Sequence, residues 1–285
     1  MKYKSANNFL KDPEKRILLM GLSGVGKTTA SRMMPSDEWF HYSVDYRIWT
    51  HHLSDQLNDY LKTLASNEPR LKELLNKDAI SVEHRLHFDN LFATSVYMGM
   101  LGDPKMDGTN LSDFIERMEE YAHGEINAML DVPYFIERAK RLYNYPHFLI
   151  DASGSLCEIV ELDDPNDPVL KMIDENCIVV YIEATKEHEQ ELIHRATIDP
   201  KPIYYRPDFI GKILPGLYKE FGVDDVEQID PRKVGSFIYP KLLYHRIPRY
   251  KTIADRYGYT IPMKEFMQIN TAYDFLNIIS QKISK

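Results

Sequence analysis

A mainly parallel, five-stranded α/β fold carrying a long helical insertion is what this sequence predicts, on three observations. Short apolar runs bounded by turn residues occur at five places along the chain. A glycine-rich turn stands between the first of these runs and a helix-forming stretch. Between about residues 48 and 145, strand-like runs give way to leucines at helical spacing. Strands that alternate with helices bury both faces of a sheet, which favours parallel pairing.

The first run, Arg16–Met20 (RILLM), ends at Gly21. A run without polar alternation fits a strand covered on both faces. A helix begins near Lys27 and stops before Pro35, because the residue ahead of a proline resists helical angles. Trp39–Val44 (WFHYSV) is aromatic and β-branched and predicts a second strand ending at Asp45. His147–Asp151 (HFLID) is the third, followed by Ala152–Ser155. Cys177–Ile182 (CIVVYI) is the fourth, with a helix through Glu187–Ala196 after it. A fifth strand falls within Tyr259–Ile269, and Thr271 is placed to cap a terminal helix reaching Ile283.

In the middle third, Leu53, Leu57, Leu61 and Leu64 recur at helical spacing, as do Leu111, Phe114, Ile115 and Met118. Glycine and proline cluster at Gly99–Gly108 and mark a loop between helices. Strands resume directly afterwards. The expectation is therefore one domain over residues 1–285, with a core at about 14–47 and 146–285 and a helical insertion at about 48–145.

The 285 residues are 44% hydrophobic, with a formal net charge of -8. That sign repels phosphate backbones and argues against nucleic acid as a partner. Cys157 and Cys177 fit no metal spacing and are expected to be buried, reduced thiols. The apolar stretches Ile17–Leu22 and Ile178–Ile182 are far shorter than a bilayer span, and MKYKSANNFLKDPEKR lacks the apolar run of a secretory signal. The expectation is a soluble cytoplasmic protein with no membrane partner. Oligomeric state is left open.

The motif Gly21-Leu-Ser-Gly-Val-Gly26-Lys27-Thr28 fits G-x-x-x-x-G-K-[ST] at every fixed position. Glycines let the backbone wrap phosphate oxygens closely, and the next helix adds its positive end. Gly21, Ser23, Gly24, Val25, Gly26, Lys27, Thr28 and Thr29 are thus the expected nucleotide-binding residues. Lys27 is expected to reach the β- and γ-phosphates, and the Thr28 hydroxyl to ligate Mg²⁺. The motif makes the expected fold a P-loop NTPase three-layer sandwich. It does not name a reaction. A base-reading N-K-x-D segment and a transporter signature loop are both missing.

The order of segments resembles the shikimate-kinase-like branch of P-loop kinases. Gly21–Thr28 has that branch's G-x-x-G-x-G-K-T spacing, and Ser43-Val44-Asp45 stands where it places a D-x-D. Ser153-Gly154-Ser155 occupies the place of its glycine triplet, and VVYIEATKEHEQELIHRA resembles its fourth strand and following helix. Arg206-Pro207, preceded by Arg195, is similar to its lid; RIPRYKTIADRYGYTI, from Arg246, is similar to its R-x-P-x-Y segment. The departures are Ser43 in place of the first aspartate, loss of most of the glycine triplet, and a far larger insertion. Shikimate is therefore not the expected acceptor.

The resemblance implies a phosphotransferase that uses ATP and Mg²⁺ and moves the γ-phosphate to a small hydroxylated acceptor. Asp45 would bind and polarise the acceptor hydroxyl, Arg195 and Arg206 would close over the transferring group, and Arg246 would contact the adenine face. Asp151 is the candidate metal-linked carboxylate, since carboxylates at the C-terminal ends of parallel strands face the ligand crevice. Two other readings stand beside this one: an ATPase switch acting on a protein partner through the insertion, and a kinase for a nucleotide or nucleic-acid end. His188, Glu189 and His194 do not form H-E-x-x-H, and His84 and His87 lack further ligands. Glu158–Asp167 reads as a solvated acidic surface, and the insertion's tyrosines read as packing.

Overall fold

In the computed structural model, which describes residues 2–283, the expected apolar runs become five strands. They are β1 (Arg16–Met20), β2 (Trp39–Ser43), β3 (His147–Asp151), β4 (Ile178–Glu183) and β5 (Gly258–Pro262). Their order is β2-β3-β1-β4-β5, and every pairing is parallel. Ile17 to Met20 and Ile178 to Ile182 are buried without interruption. Successive strand residues point to opposite faces, so both faces of the sheet are covered. The helices Lys27–Met33, Pro168–Asn176 and Ala272–Ile283 pack on β3, β4 and β5 respectively. This is the three-layer P-loop arrangement.

β2 ends two residues before the expected Asp45. Ser43 pairs with Asp151, the last residue of β3, so the ladder has nothing further to offer Val44. The chain instead turns into a short helix, Val44–Arg47, and a π-helical turn, Ile48–His52, closed by Leu53 N–H donating to Ile48 O at 2.8 Å. β4 starts at Ile178 because Cys177 caps the preceding helix, donating its N–H to Ile173 O. β5 stops at Pro262, after which Met263–Phe266 is helical. Thr271 caps the terminal helix reciprocally: its Oγ1 accepts from Asp274 N–H, and Asp274 Oδ2 accepts from Thr271 N–H, each at 3.1 Å.

The chain divides into two compact units. The first comprises the described residues of Met1–Val44, Ala128–Asp199 and Ser236–Lys285 and contains the whole sheet. The second comprises Asp45–Asn127 and Pro200–Gly235 and includes the helices Ser54–Ala65 and Pro207–Phe221 and most of Leu111–Leu130. Leu53, Leu57, Phe114 and Met118 lie in the core, whereas Leu64 is exposed at the helix end. Aromatic rings fill the remaining space: Trp49 packs on Tyr97 and Tyr121, and Tyr97 packs on Tyr60.

Cys157 and Cys177 are free and fully buried, and burial pushes each thiol up to about 12. The thiolate is the reactive form. Neither cysteine in the native protein is expected to react with a thiol reagent at pH 8, whereas both react once the chain is unfolded; rapid native labelling would contradict this packing. Gly258 opens β5, and a Cβ there would lie 1.8 Å from Val179 O of the neighbouring strand. Gly258→Ala should therefore cost about 1–3 kcal/mol in denaturant unfolding, as overpacking does.

Candidate phosphate-binding site

Leaving β1, the chain wraps through three glycines with positive φ: Gly21 (149°), Gly24 (76°) and Gly26 (100°). Space enforces the choice at Gly21, where a Cβ would lie 2.7 Å from Ile182 O. The helix Lys27–Met33 follows directly, with Gly26 as its cap. The Lys27 ammonium folds back over the loop and donates to Gly21 O at 2.8 Å and Leu22 O at 3.2 Å. Val25 anchors the loop in the core, while Ser23 and Gly24 lie at its exposed crest.

Sheet register brings the next partner. Asp151 pairs with Leu19 of β1 on one side and Ser43 of β2 on the other. Its carboxylate consequently stands beside the first turn after the loop, where Thr28 Oγ1 donates to Asp151 Oδ2 at 2.9 Å. The His41 ring on β2 approaches the same oxygen at 3.9 Å. Thr29 follows Thr28 on the helix.

The helix Lys186–Ile198 supplies the opposite wall. Thr185 caps it by accepting from His188 N–H. His188 Nε2 then lies 2.9 Å from Ser23 O. A carbonyl can only accept, so Nε2 carries the proton and Nδ1 lacks it in the neutral ring. Arg195, paired with Glu191 at 3.5 Å, comes within 4.0 Å of where a Gly24 Cβ would be. Lys27, Thr28, Asp151 and Arg195 are thus gathered around one loop. Phe266 and Met267 also reach it, lying about 3.5 Å from a Cβ placed on Gly26. Reading the sequence did not single out His188, Phe266 or Met267 as loop neighbours, because their contacts depend on segments far apart in the chain.

Arg246 occupies a structural position beneath the turn after β3. Its Nη1 donates to Gly154 O at 2.9 Å and its Nε faces Glu158 Oε1 at 3.4 Å. Tyr250 OH donates to the same Gly154 carbonyl at 2.6 Å, and Arg249 donates to Cys157 O and Val160 O. Glu158 is 1% exposed, so the expected acidic surface at Glu158–Asp167 is not wholly solvated. Arg246 offsets the buried carboxylate and His245 Nε2 lies 3.7 Å from its other oxygen, and Asp167 is buried as a helix cap accepting from Leu170 N–H.

The other two candidates belong to the second unit. Asp45 lies in the first turn of Val44–Arg47, and its Oδ1 is 3.5 Å from the Tyr121 hydroxyl. The Tyr121 ring stacks on Tyr204, with centroids 5.2 Å apart. Two residues later, Arg206 caps the helix Pro207–Phe221 and pairs with Asp208 at 2.7 Å. Burial works against the Asp208 carboxylate, but the charge and hydrogen bond of Arg206 hold it below its ordinary range. Tyr121 thus links Asp45 to Tyr204, a contact the sequence offered no spacing to reveal, while Arg206 is held by Asp208.

No family model and no curated protein matches the chain. Among solved structures it is similar to shikimate kinase from Bacteroides thetaiotaomicron, with a TM-score of 0.36 and 11% identity. The match covers 94% of this chain and 95% of that one. A likeness at that level concerns chain layout and decides neither substrate nor chemistry. Among the described residues, no helix is long and apolar enough to cross a membrane.

The His188–Ser23 contact predicts a local effect measurable without any ligand. His188→Ala should speed amide hydrogen exchange across Gly21–Lys27 while costing only about 1 kcal/mol of global stability. Unchanged exchange in the loop would show that His188 does not brace it.

Proposed function

We propose that this protein is a phosphotransferase that uses ATP and Mg²⁺ and transfers the γ-phosphate to a small hydroxylated acceptor. The observation that carries the reading is the Thr28–Asp151 hydrogen bond at 2.9 Å, beside a glycine loop over which Lys27 is folded. A hydroxyl and a carboxylate meeting at the end of a phosphate loop form an all-oxygen donor set suited to a hard divalent cation. Mg²⁺ bound there would offset charge on the phosphate oxygens.

Lys27 exchanges its two loop carbonyls for phosphate oxygens, and the amides of Gly21 to Thr29 surround them. Arg195 lies beside the loop and Arg206 on the second unit; both are assigned to the charge that spreads over the transferring group. Asp45 is assigned to the acceptor hydroxyl. As the acceptor oxygen bonds to phosphorus, the bond to the β-phosphate oxygen breaks and the hydroxyl proton leaves to Asp45. Arg246 is assigned to contact with the adenine face from the turn that its hydrogen bonds to Gly154 and Glu158 hold in place. The chain acts in this reading as one kinase-like domain in which the helical segment selects the acceptor.

Mg²⁺–ATP turnover with and without fractionated small metabolites tests the assignment. One fraction should stimulate turnover strongly. Lys27→Met and Asp151→Asn should each lower the stimulated rate by about 10²-fold or more, the scale expected when one preorganised electrostatic contact is lost. Full activity in Lys27→Met would refute the site. Slow turnover that no fraction changes would instead assign the protein as an ATPase acting on a protein partner.

A further inference from the structure

The second unit contains a cavity of about 540 Å³, within the usual size range of small-molecule sites. Its wall combines Tyr60 and Arg117 with Asp107, Thr109 and Asp113, from the Gly99–Gly108 loop and the helix that follows it. The loop is fixed rather than loose. Thr109 N–H donates to Met100 O at 2.7 Å and Gly108 N–H to Asp103 O at 2.9 Å. Gly99 has φ 63°, and a Cβ there would lie 2.4 Å from Thr109 Oγ1 and 3.2 Å from Arg117 Nη1. Only glycine leaves room for Thr109 there, and Arg117 lies close against the same spot.

Arg117 is half-buried and held by neutral groups. Its Nη1 donates to Tyr97 O at 2.8 Å, and its guanidinium carbon lies 5.0 Å from the Tyr60 ring centroid and 5.6 Å from that of Tyr97. No carboxylate among the described residues forms an ion pair with it, although Asp113 stands one helical turn earlier. A guanidinium has five donors in a rigid fork matched to carboxylate or phosphate. Removed partly from water and pinned by two rings, it is prearranged for an anionic group. Asp107 and Asp113 also line the cavity and give its wall two negative charges to one positive.

We propose that this cavity binds a small zwitterion, with a carboxylate or phosphate on Arg117 and an ammonium group facing Asp107 and Asp113. A simple anion would satisfy the arginine but meet two carboxylates; a simple cation would meet the guanidinium. A molecule carrying both charges satisfies all three groups, and Tyr60 covers its carbon chain. Binding needs no nucleotide, so the inference stands or falls independently of phosphoryl transfer.

Calorimetric titration of the full chain without ATP is the test, using 5-aminovalerate and phosphoethanolamine as probes. Butyrate and butylamine serve as single-charge controls. At least one zwitterion should bind saturably and at least tenfold more tightly than either control. Carboxylate against phosphate preference will identify the anionic end. Arg117→Lys, which keeps the charge but loses the fork, and Asp113→Asn, on the exposed helix surface, should each weaken binding about tenfold or more. Both variants should retain the wild-type circular dichroism spectrum. Absence of saturable zwitterion binding, equal binding of a control, or full affinity in both folded variants would overturn the proposal.

Discussion

Parallel pairing sets the position of β1 between β3 and β4, and with it the geometry of the glycine loop that follows β1. Leu19 opposite Asp151 and Met20 opposite Tyr181 place the exit of β1 between the end of β3 and β4, which continues to Glu183. The loop must therefore turn away at once, and its glycines supply the positive φ values needed to do so. The same register brings Asp151 to Thr28, joining the first turn of the following helix to the sheet. A slip by one residue would turn the Asp151 side chain to the other face and remove that contact.

Polar groups brace both the loop and the turn after β3. His188 holds Ser23 O, while the long helix Pro231–Tyr257 supports the turn after β3 through Arg246, Arg249 and Tyr250. Burying Glu158 is costly unless charge and hydrogen bonds offset the loss of water. The Arg246 guanidinium supplies both, so the acidic stretch acts partly as internal framework. The second unit uses different means. Its aromatic contacts link Asp45 to Tyr204 through Tyr121 and seat Arg117 beside the paired rings of Tyr60 and Tyr97. Burial and the hydrogen bond to Glu120 hold the Tyr97 phenol above its ordinary range, so that it remains a neutral ring beside the guanidinium.

Legibility varied with the range of the interactions involved. β1 and β3 were readable to their ends because continuous apolar runs need cover on both faces. The caps at Thr271 and before Pro35 were readable because capping and proline geometry act within a few residues. The end of β2 was not, since it depends on where β3 stops 108 positions later, at Asp151 against Ser43. The burial of Glu158 was hidden for the same reason: its compensating arginine is 88 residues away.

The sequence by itself determined the parallel α/β core, the glycine loop after β1 and the lysine and threonine that follow it, because each is written in contiguous residues. Tertiary structure alone decided which carboxylate meets Thr28, which histidine steadies Ser23, and that Arg117 lines a cavity. Those outcomes rest on strand register and on packing between segments distant in the chain, and no local spacing encodes them.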